Sequence, residues 1–335
     1  MTVADGVRRA WMRAGLRFGA AWGRPIAAHG QVMDPAMSAL VRFVRRLPPP
    51  GSGGGAAAFE AQYAAMMAVT ALRPAPGVVV RDVAVPGLAG TARLHVPAGA
   101  VRGSLLYFHG GGFIMGSPRT HEGLCRYLCA RTGLQVLAAP YRLAPKHPFP
   151  AAHDDAATAL HWARGALPGP LAVGGDSAGA NLAAGLALHG GAAAQLLLYP
   201  VVDMDPAPGD YPSIAQFGEG YLLTAQALEQ CKAMAFPGAS AGDARASPLL
   251  ADLRGAAPAV LSVPVFDPLA DQGRAYAAAL KRAGVEVELL EEGLVHGFAD
   301  FGGVVREARR AVDRAADALV RALSLSTTGE MAHAE

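Results

Sequence analysis

Charge is scarce in this chain, and it is balanced. Only 17% of the 335 residues are Asp, Glu, Lys or Arg, and 29 basic against 27 acidic residues leave a net charge of +2. No lysine-rich stripe marks a nucleic-acid face, so no nucleic-acid partner is expected. Three cysteines give no even disulfide framework. Cys125 and Cys129 lie one helical turn apart, yet no second Cys/His pair completes a metal site. They are read as buried helix residues of a protein in a reducing cytoplasm. The His-Glu-x-x-His pattern of metal hydrolases is absent, and no metal is expected. No apolar run reaches the roughly 20 residues that span a bilayer. Arg8, Arg9, Arg13 and Arg17 are not followed by the long apolar core of a secretory signal. What the chain does have is apolar residues, 52% of the total, enough to fill a core and to exclude a disordered protein. Its length suits one large α/β domain with a lid, or two small domains.

Against that background Gly175-Asp176-Ser177-Ala178-Gly179 stands out. It fits Gly-x-Ser-x-Gly, preceded by the short apolar run Leu171-Ala172-Val173-Gly174 and followed by a helical pattern from Ala180 to Ala187. A serine at a sharp strand-to-helix turn has a strained backbone and an exposed Oγ, and the flanking glycines avoid clashes across the turn. The helix N-terminus adds partial positive charge where an oxyanion would form. A second motif, His109-Gly110-Gly111-Gly112-Phe113, follows the apolar strand Gly103 to Phe108. Glycines at that place let backbone N–H groups point into a cavity, as acyl transfer requires. A phosphate loop is disfavoured, because no Gly-Lys-Ser/Thr ending follows.

The strand-like run from Val260 to Phe266 ends at Asp267-Pro268-Leu269, and the alternating run from Val285 to Leu290 leads into Val295-His296-Gly297-Phe298. The order Ser177, Asp267, His296 is that of a triad on an α/β-hydrolase sheet. Serine alone is a poor nucleophile; a histidine must take its proton and a carboxylate must orient that histidine. Asp271, four residues later, is the rival acid and is expected to cap a helix or pair with a nearby base.

Along the chain, residues 1–32 form a basic extension, helical over its first two-thirds, that packs on the lid or stays loose. An anionic membrane surface is the sharper reading of it, with reversible binding at best and no stable insertion, and a transit-like segment is the third. Asp34 and Pro35 predict an N-cap and first turn for a helix over 35–46, with Met37, Leu40, Val41 and Val44 on one face. Leu47-Pro48-Pro49-Pro50 and the glycine-rich stretch to Gly55 form a linker, and 56–72 is helical again. Residues 33–75 and 203–240 are read as two halves of a helical lid. The catalytic domain comprises 76–202 and 241–323. It opens with a hairpin (78–85, 92–96) and continues with strands near 104–108, 135–139, 171–174, 195–199, 259–265 and 285–290. Intervening helices make the sheet mainly parallel and covered on both faces. A last helix spans 304–323, and 324–335 is expected to fray.

Together these pieces resemble the hormone-sensitive-lipase family of α/β-hydrolase esterases, in its Gly-Asp-Ser-Ala-Gly branch. Met33-Asp34-Pro35, Tyr141-Arg142-Leu143-Ala144-Pro145, Phe149-Pro150-Ala151-Ala152, Tyr199-Pro200, Tyr221-Leu222-Leu223-Thr224 and Ser247-Pro248-Leu249 occur in family order around the motifs above. One departure is Pro264-Val265-Phe266, where the family usually carries a glycine shortly before the triad acid. The resemblance implies a cofactor-free serine carboxylesterase in which Ser177 is nucleophile, His296 base and Asp267 orienting acid. Gly111, Gly112 and Ala178 are the oxyanion donors. His109, Gly110 and Asp176 support them, and Phe113, Met115, Phe217, Tyr221 and Leu222 are candidates for the acyl pocket or for ordinary core. The expected substrates are short-to-medium acyl esters. Amidase, formamidase and acyltransferase activities use the same triad. Plant gibberellin receptors, a non-catalytic offshoot of this family, lack the histidine that His296 supplies here. A homodimer through sheet edges or the last helices stays open.

Overall fold

The structure is a computed structural model and describes residues 3–46, 56–73, 75–189 and 192–332. The linker expected at 47–55 lies outside the described residues. Helix α1 (Val3–Trp22) opens the chain. Two-residue strands β1 (Ala27–Ala28) and β2 (Gln31–Val32) pair antiparallel behind it. Helix α2 (Pro35–Val44) starts as its sequence demands: the Asp34 carboxylate accepts from the Ala36 and Met37 N–H groups at 2.9 Å, with Pro35 in the first turn. Met37, Leu40 and Val41 face inward, and α3 (Ala56–Thr70) follows.

The main sheet has eight strands: β3 (Val78–Val83), β4 (Ala92–Pro97), β5 (Ser104–Phe108), β6 (Gln135–Ala139), β7 (Leu171–Asp176), β8 (Ala194–Leu198), β9 (Ala259–Phe266) and β10 (Val287–Val295). Their spatial order is β10-β9-β8-β7-β5-β6-β4-β3. The six from β5 to β10 are parallel, whereas β4 runs antiparallel to both β6 and β3. Strands β5 to β9 are buried along their whole length, which is why they read as unbroken apolar runs. Alternate residues of β5 serve opposite cores: Leu106 and Phe108 join one apolar cluster, Leu105 and Tyr107 the other.

Helices cover both faces. α5 (Ala151–Ala166), α6 (Ala178–Leu186) and α9 (Ala270–Arg282) supply the first cluster. α4 (Glu122–Thr132), α10 (Arg306–Ala332) and α2 supply the second. Two short helices, α7 (Pro212–Phe217) and α8 (Ala225–Ala235), occupy the stretch between β8 and β9.

The backbone of α10 is helical to Ala332. One sequence expectation needs correction. β10 does not end at residue 290 but continues to Val295, with a register shift between Glu292 and Val295. Pro264 of β9 sits opposite Glu292, where the shift begins. Proline has no N–H to give the ladder, so an irregular register beside it costs little pairing.

Candidate active site

Five strand ends converge on one place. β7 stops at Asp176 and α6 begins at Ala178, leaving Ser177 alone in the turn at φ 52° and ψ −117°. A non-glycine residue with positive φ stores strain, and here the strain aims Oγ outward. The neighbouring glycines are forced by space. A Cβ on Gly175 would strike the Gly179 backbone, and one on Gly179 the carbonyls of Phe108 and His109. The Ser177 N–H donates to the Leu198 carbonyl at 2.9 Å and ties the turn to β8.

Asp267 ends β9, and its buried carboxylate is fixed from two sides. Oδ1 accepts the Leu269 N–H at 2.8 Å, and Oδ2 lies 2.8 Å from His296 Nδ1. His296 Nε2 is 2.9 Å from Ser177 Oγ. The ring leans on Tyr199, with centroids 4.9 Å apart. A carboxylate on Nδ1 assigns the proton there and leaves Nε2 as acceptor toward the serine hydroxyl. The shift in β10 precedes this histidine directly. Its Gly293 carbonyl accepts the Asp34 N–H at 2.9 Å, so the N-terminal segment braces the same corner. Asp271, the rival acid, is occupied elsewhere. It accepts the Ser213 N–H and pairs with Arg274 beside a polar cleft of about 380 Å³.

After β5 the chain takes three consecutive positive φ angles, at Gly111 (119°), Gly112 (61°) and Phe113 (64°). Among the described residues none accepts a hydrogen bond from the N–H of Gly111, Gly112 or Ala178. The Gly110 N–H, by contrast, donates to Asp176 Oδ1 at 3.0 Å. One unengaged donor thus follows Ser177 directly, and two more sit in the loop that Gly110 ties to Asp176, the residue before the serine.

Comparison with known proteins decides the family. The sequence model of the alpha/beta hydrolase fold matches residues 105–300. The chain belongs to the α/β-hydrolase family. It is 40% identical over 304 residues to the carboxylic ester hydrolase LipN of Mycobacterium tuberculosis, covering 82% of this chain and 79% of that protein. It is 40% identical over 250 residues to the ethyl acetate hydrolase of Pseudomonas putida, covering 70% and 74% of the two chains. Among solved structures, an esterase of Pyrobaculum calidifontis superposes with a TM-score of 0.75 at 32% identity, covering 84% of this chain and 97% of that one. A thermostable carboxylesterase from a metagenomic library gives 0.73 at 34% identity, covering 79% and 95%. These relatives place the α/β-hydrolase in the hormone-sensitive-lipase-like branch, as a serine-hydrolase enzyme of the carboxylesterase class.

Beneath the 109–113 loop this α/β-hydrolase carries a buried polar network that the sequence only half disclosed. Asp176 takes hydrogen bonds from Tyr107 Oη at 2.8 Å and from Gly110, and its Oδ2 lies 3.4 Å from His121 Nε2. Burial alone would raise the Asp176 pKa, but His121 and Tyr107 outweigh it and hold the group below the ordinary carboxylate value. For His121 burial pushes down and Asp176 pushes up, with a net rise. The two form a buried ion pair. His109 stacks on Tyr141, with centroids 4.3 Å apart, and its Nδ1 lies 2.8 Å from the Gly110 carbonyl. Burial, reinforced by His121, lowers its pKa to about 3. It is neutral at working pH and braces the loop.

Sequence reasoning missed Tyr63, Tyr107, His121 and Asp300 as members of this network. Tyr63 of α3 donates to Asp300 Oδ2 at 3.1 Å. Burial pushes Asp300 up to about 6, with His121 pulling it down and Asp176 raising it further. One donor atom each from His121, Asp176 and Asp300 lie within 4.8 Å of one another, the spacing of a metal cluster, but the His121–Asp176 contact and the Tyr63 hydroxyl engage them. The only local signal was position: Asp300 follows His296 by four residues in the same loop.

The five pocket candidates divide. Phe113 and Phe217 are almost fully buried, and the rings they meet are aromatic: Phe236 and His153 for Phe113, Phe266 and Tyr221 for Phe217. Met115, Tyr221 and Leu222 are half-buried. The Arg45 guanidinium lies over the Tyr221 ring, 4.9 Å from its centre, and so joins the two stretches expected to form the lid. In α8, Cys231 faces the 109–113 loop closely enough that a Cβ on Gly112 would meet its Sγ at 2.5 Å.

Proposed function

We propose that this carboxylesterase cleaves short-to-medium acyl esters through a covalent acyl-enzyme. Ser177 Oγ attacks the ester carbonyl while its proton passes to His296 Nε2. The imidazolium that forms faces the Asp267 carboxylate, which stabilises it and holds the ring. The negative oxygen of the tetrahedral intermediate sits against the N–H groups of Gly111, Gly112 and Ala178 at the start of α6, where the helix dipole adds to the hydrogen bonds. On collapse the alkoxy group leaves with the proton from His296. Water then enters, gives a proton to His296 and attacks the acyl carbon. Ser177 departs with that proton, and a carboxylic acid is released. No proton need come from His109, which burial keeps neutral.

The observation that carries this reading is the unbroken chain Ser177 Oγ, His296, Asp267 at 2.9 and 2.8 Å, together with three unengaged amides. The half-buried side chains of Met115, Tyr221 and Leu222 are proposed to bound the acyl group. The test is a panel of nitrophenyl esters with acyl chains from about two to sixteen carbons. Activity should peak near four to eight carbons, because each buried methylene adds about 0.8 kcal/mol until the pocket is full. Ser177→Ala should lower kcat by about four orders of magnitude. A Ser177→Ala variant that keeps more than a few per cent of the wild-type activity would remove the nucleophile assignment.

A further inference from the structure

Helix α1 is docked on one side and bare on the other. Its inner side carries Leu16, which is buried, and Arg13, whose Nε donates to the Gly303 carbonyl at 2.8 Å. At about 100° per residue, the outward half includes, in angular order, Arg17, Ala10, Ala21, Ala14, Phe18, Trp11, Gly15 and Arg8. Trp11 is 76% exposed and Phe18 72%, one pair of helical turns apart in the middle of that strip, with an exposed arginine at each border. Two large aromatic rings in water on a helix that has an inner face to bury them need a reason.

The exposed side chains that border them, Arg8 and Arg17, are both basic. On the inner side of the helix Arg13 is lowered from its ordinary pKa, first by burial and then by Arg73, Arg309 and Arg17, so further guanidinium groups gather at this end of the molecule. We propose that the outward face of α1 docks reversibly on an anionic lipid surface, with Trp11 and Phe18 entering the interface and Arg8 and Arg17 reaching the headgroups.

The arrangement fits that occupant better than the alternatives. A helix lying in the plane of a bilayer places aromatic rings at the headgroup boundary and basic side chains along both borders, where their long stems reach back to the phosphates. In a symmetric dimer the same patch would meet itself, setting arginines against arginines. Two aromatic side chains cover about 400 Å², half of the roughly 800 Å² that each partner gives a stable protein interface. A bilayer sets no such minimum, because its attraction for the arginines adds to the burial. Among the described residues no helix is long and apolar enough to cross a membrane, which agrees with binding on the surface and not through it.

The experiment is co-sedimentation of the full chain with vesicles of phosphatidylcholine alone and of equimolar phosphatidylcholine and phosphatidylglycerol. The protein should pellet with the mixed vesicles at low salt, stay in solution with the neutral ones, and be released at about 1 M salt, where charges are screened within about 3 Å. Trp11→Ser/Phe18→Ser should weaken binding to the mixed vesicles at least about tenfold. Arg8→Gln/Arg17→Gln should flatten the salt dependence. Both variants alter exposed side chains away from the triad, so hydrolysis of a soluble acetate ester should be unchanged and confirms that they fold. Three results overturn the proposal: no pelleting with the mixed vesicles, pelleting that survives Trp11→Ser/Phe18→Ser, or a concentration-dependent dimer that those substitutions abolish.

Discussion

At the strand ends Ser177, Asp267 and the 109–113 loop are held by backbone; the N-terminal helices α1, α2 and α3 are held largely by side chains. The serine turn exists because glycines at 175 and 179 leave no Cβ to collide, and Asp267 is aimed by the Leu269 amide. In the N-terminal helices and the turn after them, Arg13 reaches the Gly303 carbonyl, Arg42 the carbonyls of Gly19 and Arg24, and Arg45 that of Gly220, while the Tyr63 hydroxyl reaches Asp300. A backbone-held group has few places to go, and a change there should cost rate. A side chain reaching to a carbonyl has rotamer freedom to lose and regain, and a change there should cost stability or affinity first.

The sharpest way to break this comparison is to change the acid. Asp267→Asn should lower kcat/KM about a thousandfold by leaving the imidazole in the wrong tautomer, whereas Asp271→Asn, tied to Arg274 and Ser213, should cost less than about tenfold. Steady-state kinetics on one nitrophenyl ester decides it, and the reverse ranking sinks the assignment. Where the 109–113 loop meets α8, Gly112→Ala should lower kcat about a hundredfold, because the new methyl meets Cys231 and a φ of 61° strains any side chain. Adding Cys231→Ala should restore no more than about tenfold, since the backbone strain remains. Full recovery would mean that the contact, and not the loop conformation, sets the rate.

Asp300 gives a pH test. It faces His121, Asp176, Tyr63 and, more distantly, His296. Folding raises its pKa from the ordinary 3.8 to about 6. The protonated form is therefore favoured by folding, and its contribution is full below pH 4 and lost as pH rises through 6. Asp300→Asn keeps an acceptor for Tyr63 without the charge. Relative to the wild type it should gain stability between pH 4 and 7, by on the order of 1–3 kcal/mol, in urea titrations at several pH values. A difference independent of pH would mean that the carboxylate is not so strained. The smallest effect on rate is expected from deleting residues 1–20. Loss of the Leu16 contact should lower Tm by a few degrees, while kcat on a soluble acetate ester stays within about threefold of the full chain. A kcat loss as large as that of Asp267→Asn would place α1 with the strand-end groups instead.

Much of the strand-end region could be read directly because each device is local. Gly-x-Ser-x-Gly needs its glycines within five residues, and the strand-loop-glycine run at 109–113 is equally compact. The capping of α2 by Asp34 is of the same kind. The buried network escaped notice because its members are remote in sequence: Tyr63 and Asp300 are 237 residues apart, and no pattern around either announces the hydrogen bond. The extension of β10 was equally hidden. It rests on pairing with β9 and on a register shift beside Pro264, and neither leaves a trace in the alternation of residues 285–290.

The sequence by itself determined the mainly parallel sheet, the strained serine and the order of its partners, since buried strands demand apolar runs and a tight turn demands glycine whatever surrounds them. Only the tertiary structure decided that Asp267 and not Asp271 meets His296, that His121 pairs with Asp176 beneath the 109–113 loop, and which side of α1 is bare. Each of those depends on how far apart two distant segments come to rest. That distance is set by the packing of whole helices on the sheet, and no short stretch of residues encodes it.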